Sequence, residues 1–240
     1  MKRYLLLQAR NPNDIVRPEE HQAFATQLYT NVSNVHTCDV LQDELLVSRA
    51  EEYDAVLVGG AGEYSVLDDD ERIKGFISHL GELTNTNIPV FASCFGFQAL
   101  VLALGGTVIK DVPNAEVGTY SLNTTEEASK DPVFSVLPST FLAQMGHQDR
   151  AETLPDSIVN FAYSQRAPFQ AFRVKGTDVY ATQFHPELTF EDNRKRFARY
   201  MKIYGALFGE EEAQKRMDSH RPSPESNLLL SRFAEQISQS

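Results

Sequence analysis

The chain has 240 residues, of which 42% are hydrophobic and 23% are charged, a composition typical of a soluble globular domain. Its formal net charge of −11 argues against a nucleic-acid or anionic-membrane surface, since both need clustered Lys and Arg. No apolar run approaches the roughly 20 residues that cross a bilayer, so we expect a cytoplasmic protein with no nucleic-acid or membrane partner.

The first 110 residues alternate short apolar runs with longer amphipathic segments. This pattern predicts βαβ units in a three-layer α/β fold around a mostly parallel sheet flanked by helices. The predicted strands are residues 4–7, 35–40, 55–58 and 89–92. The predicted helices are residues 19–29, 43–52 and 69–83, and a further helix that begins after Cys94 and ends near Gly105.

From residue 108 to 184 the apolar segments become shorter, which predicts antiparallel strands added to the sheet edge. These strands are expected at residues 119–123, 140–144, 158–163, 170–174 and 179–184. Residues 190–207 have the periodicity of one long amphipathic helix. Two further helical segments follow, separated by Arg221-Pro222-Ser223-Pro224. We therefore expect a main domain at residues 1–207 and a C-terminal helical extension at residues 208–240.

The sequence contains two cysteines, too few for a disulfide scaffold and without the paired spacing of a zinc site. Cys94 lies between a predicted strand and a predicted helix, with Ala92 before it and Gly96 after it, which is the layout of a nucleophile elbow. A helix N-terminus favours the thiolate form. A buried structural cysteine is the alternative, and this segment alone leaves both interpretations open. Cys38, within a predicted strand, is interpreted as core.

A predicted strand ends in His185-Pro186-Glu187. Pro186 stops strand pairing and releases the two polar side chains at the strand end. A histidine base needs a partner on its other ring nitrogen, and a carboxylate two residues away can supply it. Without an elbow cysteine elsewhere in the chain, a solvated turn is the favoured interpretation of this tripeptide.

Three motifs occur in order, each at the end of a predicted strand, and together they resemble the class I glutamine amidotransferase family. They are Gly59-Gly60-Ala61-Gly62, Cys94-Phe95-Gly96-Phe97-Gln98 and Phe184-His185-Pro186-Glu187. Ala103-Leu104-Gly105-Gly106 and Gly146-His147-Gln148-Asp149 are similar to the branch that contains the amidotransferase domain of GMP synthase. The resemblance covers residues 4–207 and implies a flavodoxin-like fold.

The resemblance also implies roles for individual residues. Cys94, His185 and Glu187 correspond to a catalytic triad that cleaves a γ-glutamyl amide through a γ-glutamyl thioester. The backbone amides of Gly60 and Phe95 correspond to the oxyanion hole. The residues expected to hold glutamine are Gln98, through its side chain, and the backbone near Gly62, Gln148 and Asp149. We expect no cofactor and no metal, and we assign His147 and Asp149 to the pocket wall.

Two departures from the family pattern leave alternatives open. Ala61 replaces the proline common in the Gly-rich loop, and Ala92 replaces a glycine often found at the elbow. The chain also carries no recognisable ATP-dependent synthetase segment. The alternatives are an ammonia-supplying component of a separate synthetase and a catalytically silent binding or regulatory module. An esterase of the dienelactone-hydrolase type shares the elbow, but Phe184-His185-Pro186-Glu187 counts against it.

Overall fold

A computed structural model describes residues 2–42 and 47–238. The strands within these residues are β1 (Tyr4–Ala9), β2 (Val35–Asp39), β3 (Ala55–Ala61), β4 (Val90–Ser93), β5 (Thr107–Lys110), β6 (Glu116–Thr124), β7 (Thr140–His147), β8 (Asp149–Thr153), β9 (Ile158–Tyr163), β10 (Ala171–Val174) and β11 (Val179–Thr182). Nine of them form one sheet in the order β2-β1-β3-β4-β11-β10-β9-β6-β7, and β5 pairs with β8.

The sheet has a parallel half and an antiparallel half. Strands β2, β1, β3, β4 and β11 pair in parallel, the arrangement of a flavodoxin-like sheet. Strands β10, β9, β6 and β7 continue it in antiparallel pairing. This arrangement confirms the α/β fold expected from the sequence. Because parallel strands end at the same edge, β3, β4 and β11 bring the three sequence motifs together there.

The described helices are α1 (Val16–Gln27), α2 (Val47–Ala50), α3 (Glu71–Leu83), α4 (Phe95–Ala103), α5 (Phe190–Arg199), α6 (Met201–Phe208), α7 (Glu210–Asp218) and α8 (Pro224–Gln236). The predicted helix at 43–52 lies partly outside the described residues. The single helix predicted at 190–207 is wrong, because the segment forms α5 and α6. Its backbone leaves the helical conformation at Tyr200, with φ −96° and ψ 11°. The N–H of Tyr200 is shared between the carbonyl of Phe197 at 3.1 Å, as in a tighter 3-10 turn, and that of Arg196 at 3.3 Å.

Alternating side chains of the strands build two apolar layers. On one face, Leu5 and Leu7 join a buried cluster with residues of α3 and α4. On the other face, Tyr4 and Leu6 join a cluster that contains residues of α1 and α8. The sheet is therefore covered on both sides, which explains why its parallel strands are almost continuously apolar.

The C-terminal helix α8 is part of the second layer. Its Leu229, Leu230 and Phe233 are completely buried, and Phe233 lies edge-on to Phe91 of the central strand β4 with ring centroids 5.4 Å apart. Helix α8 thus packs on the body of this chain. The boundary between residues 1–207 and 208–240 stays a prediction.

Candidate active site

Cys94 occupies a tight turn between β4 and α4. Its backbone has φ +51° and ψ −99°, a region that L-residues rarely adopt. The turn requires glycine two residues later, since a Cβ on Gly96 would lie 2.7 Å from Cγ1 of Val58. Cys94 is 8% exposed and lies at the wall of two cavities. The elbow geometry therefore presents the thiol at the carboxyl edge of the sheet.

His185 and Glu187 follow the end of β11 and meet each other in a buried position. Nδ1 of His185 lies 2.6 Å from Oε1 of Glu187, and His185 lines the same cavity as Cys94 and interacts with it electrostatically. Burial works against the charged imidazole, but the Glu187 carboxylate and the Cys94 sulfur outweigh it and raise the pKa of His185 to about 10. The structure thus brings all three predicted side chains together, with His185 in the middle.

The Gly-rich loop packs against a buried carboxylate that the sequence did not indicate. Oε1 of Glu20 accepts the N–H of Gly60 at 3.2 Å and the Nη2 of Arg10 at 2.9 Å. Burial disfavours the charged carboxylate, but Arg10 outweighs it and lowers the pKa of Glu20. The amide of Gly60, predicted for the oxyanion hole, therefore already has an acceptor in this structure.

Gly59 and Gly60 of this loop are enforced by their neighbours. A Cβ on Gly59 would lie 2.7 Å from Cδ of Glu20, and a Cβ on Gly60 would lie 3.0 Å from Cε1 of His185. The Glu20 carboxylate and the His185 ring thus hold the loop from two sides. The sequence contained no periodic or motif signal for this role of Glu20, because α1 reaches the loop only in the folded chain.

The residues predicted to hold glutamine all line one cavity beside Cys94. Gly62, Gln98, Gln148 and Asp149 line a cavity of about 290 Å³ together with Cys94. Nε2 of Gln98 donates to the carbonyl of Asp149 at 2.8 Å and to Oε1 of Gln183 at 3.2 Å. The Gln98 side chain is thus held in place by protein groups on the cavity wall.

Gln183 is a neighbour of the thiol that sequence reasoning missed. Its Nε2 lies 3.8 Å from Sγ of Cys94, within the longer range of hydrogen bonds to sulfur. The sequence predicted Gln183 as a strand residue, whereas β11 ends at Thr182. The one feature of the sequence that indicates a role for Gln183 at the site is its position directly before the Phe-His-Pro-Glu motif.

A second cavity, of about 380 Å³, lies on the other side of Cys94. The two cavities share Ala61, Gly62, Glu63, Cys94, Gly146 and Gln148 in their walls. The larger cavity is also lined by His185, by Arg10 and by side chains of α5 and its neighbours, among them Arg196, Tyr200 and Tyr204. The periodicity of residues 190–207 predicts an amphipathic helix and does not indicate a cavity, so the sequence did not predict this part of the site.

His147 and the acidic residues near the site have protein partners. The ring of His147 contacts Oε2 of Glu116 at 3.2 Å and the carbonyl of Asp149 at 3.0 Å. Asp70 caps α3 by accepting the N–H of Arg72 at 2.9 Å. In the part of the chain that the structure describes, no group of three or more His, Cys, Asp or Glu side chains is placed to hold a metal ion.

The same part of the chain contains no helix with the length and apolar character needed to span a membrane.

Comparison with known proteins gives the class of this chain. The profile of the family described as glutamine amidotransferase class-I matches residues 20–202. A glutamine amidotransferase of Thermotoga maritima has a similar fold, with a TM-score of 0.72, 20% sequence identity, and complete coverage of both chains. The chain belongs to the class I glutamine amidotransferase family.

Two relatives indicate the branch within the family. A glutamine-hydrolysing GMP synthase subunit of Picrophilus torridus is 31% identical over 159 residues, which cover 66% of this chain and 76% of that protein. The GMP synthase of Thermosipho melanesiensis is 38% identical over 136 residues, which cover 56% of this chain but only 24% of that enzyme. The chain is therefore of the GMP synthase-like branch and corresponds to about a quarter of the longer relative.

Proposed function

We propose that this chain hydrolyses the γ-glutamyl amide bond of glutamine or of a γ-glutamyl compound. The observation that carries the proposal is the buried pair of His185 and Glu187 beside Cys94, on the wall of one cavity at the carboxyl edge of the sheet. In this arrangement Cys94 is the nucleophile, His185 is the acid and base, and Glu187 orients the imidazole. Membership of the class I glutamine amidotransferase family supports the same chemistry.

The proposed reaction has two stages. Sγ of Cys94 forms a bond to the γ-carbonyl carbon, and the proton held by His185 passes to the departing nitrogen as the C–N bond breaks. Water then adds to the γ-glutamyl thioester, giving its proton to His185. The C–S bond breaks, which releases glutamate and regenerates the thiolate. The raised pKa of His185 keeps the imidazole protonated at neutral pH, ready for the first proton transfer.

The negative charge that develops on the carbonyl oxygen needs hydrogen-bond donors. We propose the backbone amide of Phe95, at the N-terminus of α4, as one donor. We propose the amide of Gly60 as the second, which requires that its bond to Glu20 be exchanged for one to the oxyanion. The glutamyl group itself is proposed to occupy the smaller cavity, against Gly62, Gln98, Gln148 and Asp149.

A second candidate function is ammonia supply to a synthetase. The relative from Picrophilus torridus is named as one subunit of a GMP synthase, and the matched residues cover 76% of it. This observation favours a partner protein that would consume ammonia released from glutamine. Under this alternative the partner is an ATP-dependent synthetase, and hydrolysis is stimulated when the two proteins are combined.

The test measures hydrolysis of glutamine and of a γ-glutamyl dipeptide by the wild-type chain, with glutamate release as the readout. Cys94→Ala is expected to remove essentially all activity, because the nucleophile is lost. Cys38→Ala is the matched control, since Cys38 is buried in the core away from either cavity wall, and it should retain activity. Equal rates for wild type and Cys94→Ala would eliminate the proposal and favour a silent binding module.

A further inference from the structure

The two cavities that meet at Cys94 share part of their walls and differ in the rest. The smaller one carries the predicted glutamine contacts Gln98 and Asp149. Within the described residues, His185 lines the larger cavity and not the smaller one. If the glutamyl group occupies the smaller cavity, the group on the other side of the scissile bond faces the larger cavity.

The position of His185 also indicates that the leaving group faces the larger cavity. A general acid must lie within reach of the atom that it protonates, and here that atom is the departing nitrogen. The nitrogen therefore leaves on the side of His185, into the larger cavity. Ammonia has a single heavy atom, whereas a cavity of about 380 Å³ is within the size range of small-molecule binding sites. The space fits a larger amine.

Arg196 supplies a polar feature in this cavity. Its Nη2 is buried and has no hydrogen-bond partner among the described residues. A buried N–H group without an acceptor is costly and is normally satisfied. By contrast, the neighbouring Arg10 uses its donors on Asp14 and Glu20. The Arg196 guanidinium, which is part of the wall of this cavity and of a neighbouring one beside Asp192, thus carries a donor that has no protein acceptor among the described residues.

The surroundings of Arg196 also favour an anion. Burial and the nearby Arg10 cation lower the pKa of Arg196 from its ordinary value and outweigh the opposing carboxylates of Glu20, Glu187 and Glu19. Burial raises the pKa of Tyr204, so its hydroxyl stays neutral and able to donate. Tyr200, on the same wall, adds a second hydroxyl. An arginine with hydroxyl donors is a typical setting for a carboxylate.

We propose that the larger cavity binds the leaving group of the substrate, and that Arg196 binds a carboxylate on this leaving group. The substrate class is then an N-(γ-glutamyl) amino acid or peptide. This inference rests on the proposed γ-glutamyl hydrolysis. In the reaction, the γ-glutamyl C–N bond breaks as the C–S bond to Cys94 forms, and the amino acid nitrogen takes its proton from His185.

The test compares three substrates: γ-glutamylglycine, γ-glutamylmethylamide and glutamine. The first two differ by the carboxylate on the leaving group. We expect the wild-type chain to have a kcat/KM at least about 10-fold higher for γ-glutamylglycine than for γ-glutamylmethylamide, the factor that one charge-assisted hydrogen bond contributes. This comparison needs no variant, so it stays decisive if a substitution prevents folding.

The matched variants are Arg196→Gln and Arg194→Gln. Both remove one positive charge from α5, but Arg194 is exposed and is not part of the cavity wall. We expect Arg196→Gln to lower kcat/KM for γ-glutamylglycine about 10- to 100-fold, with γ-glutamylmethylamide and glutamine little changed. Arg194→Gln should behave as wild type with all three substrates.

Two results would overturn the inference and leave the proposed function intact. One is equal turnover of γ-glutamylglycine and γ-glutamylmethylamide by the wild-type chain. The other is an equal loss on all three substrates in Arg196→Gln, which would indicate a structural role for this residue. Failure of the wild-type chain to hydrolyse any of the three would instead contradict the proposed function.

Discussion

Cys94 has a strained backbone, with φ +51° and ψ −99°, and residues in such regions cost about 1–3 kcal/mol. Glycine adopts positive φ without this cost. The strain is therefore a property of the turn that presents the thiol, and the surrounding packing of α4 on β3 and β4 must maintain it.

This strain predicts an unusual order of stability for two substitutions. Cys94→Gly should have a higher free energy of unfolding than Cys94→Ala, by about 1 kcal/mol, because glycine relieves the turn. Urea denaturation of both variants measures the difference. At Gln214, exposed on α7, the same pair should show the opposite order, since alanine is the better helix former by about 1 kcal/mol. The same order at both positions would contradict a strained elbow.

The charge of His185 depends on its carboxylate neighbour. Because the pKa of His185 is raised to about 10, the imidazolium is present through neutral pH and is lost as the pH rises toward this value. Glu187→Gln removes the negative charge, so the pKa of His185 should fall. We expect the alkaline limb of the kcat/KM profile to move to lower pH, together with a loss of about 10²- to 10⁴-fold in rate. An unchanged alkaline limb would contradict the role of Glu187.

Sequence patterns identified the residues whose chemistry is local to a motif. Cys94, His185 and Glu187 stand at strand ends, and parallel strands end at one edge, so their meeting could be predicted. Glu20 and Arg196 could not be predicted, because they reach the site from helices with no spacing relation to it. Their partners are set by tertiary packing alone.

At the scale of elements, α8 anchors the turn that carries His185 and Glu187. Nδ2 of Asn227 donates to the carbonyl of Pro186 at 2.7 Å and to that of Leu188 at 2.9 Å. These are the carbonyls on either side of Glu187. The C-terminal helix therefore connects directly to the candidate active site, although it lies far from it in the sequence.

The two hydrogen bonds of Asn227 predict that Asn227→Ala lowers both stability and activity. Two buried carbonyls lose a donor, so the free energy of unfolding should fall by about 1–3 kcal/mol. We also expect kcat/KM for glutamine to fall about 10- to 100-fold, since small misplacements of catalytic groups have effects of this size. Leu228→Ala, which changes the next and partly exposed side chain, is the control and should leave kcat/KM unchanged. A stable, fully active Asn227→Ala would contradict the anchor.

The break between α5 and α6 shows where periodicity fails. Residues 190–207 have the spacing of one amphipathic helix and contain no proline, so the sequence predicts continuity. In the structure Tyr200 turns the chain, and Tyr200 and Tyr204 contribute to the wall of the larger cavity. The spacing of the aromatic residues predicts that their side chains are at least partly buried. It does not distinguish a packed core from the wall of a cavity.

The central sheet positions the three sequence motifs that form the candidate active site. Its parallel half brings the Gly-rich loop, the elbow and the His-Pro-Glu turn to a common edge, while α1 and α8 cover one face and α3 and α4 cover the other. The fold class was predictable because buried parallel strands leave continuous apolar runs. We propose that residues 1–207 form the amidotransferase-like unit and that the extension at 208–240 completes its core and supports its site.

The central claim is that Cys94 becomes covalently γ-glutamylated during turnover. The most direct measurement is acid quenching of the wild-type chain during steady-state hydrolysis of glutamine, followed by intact mass spectrometry and peptide mapping. We expect one γ-glutamyl group on the peptide that contains Cys94, none on the peptide that contains Cys38, and none in Cys94→Ala. Continued hydrolysis by Cys94→Ala, or a γ-glutamyl group on Cys38 instead of Cys94, would contradict it.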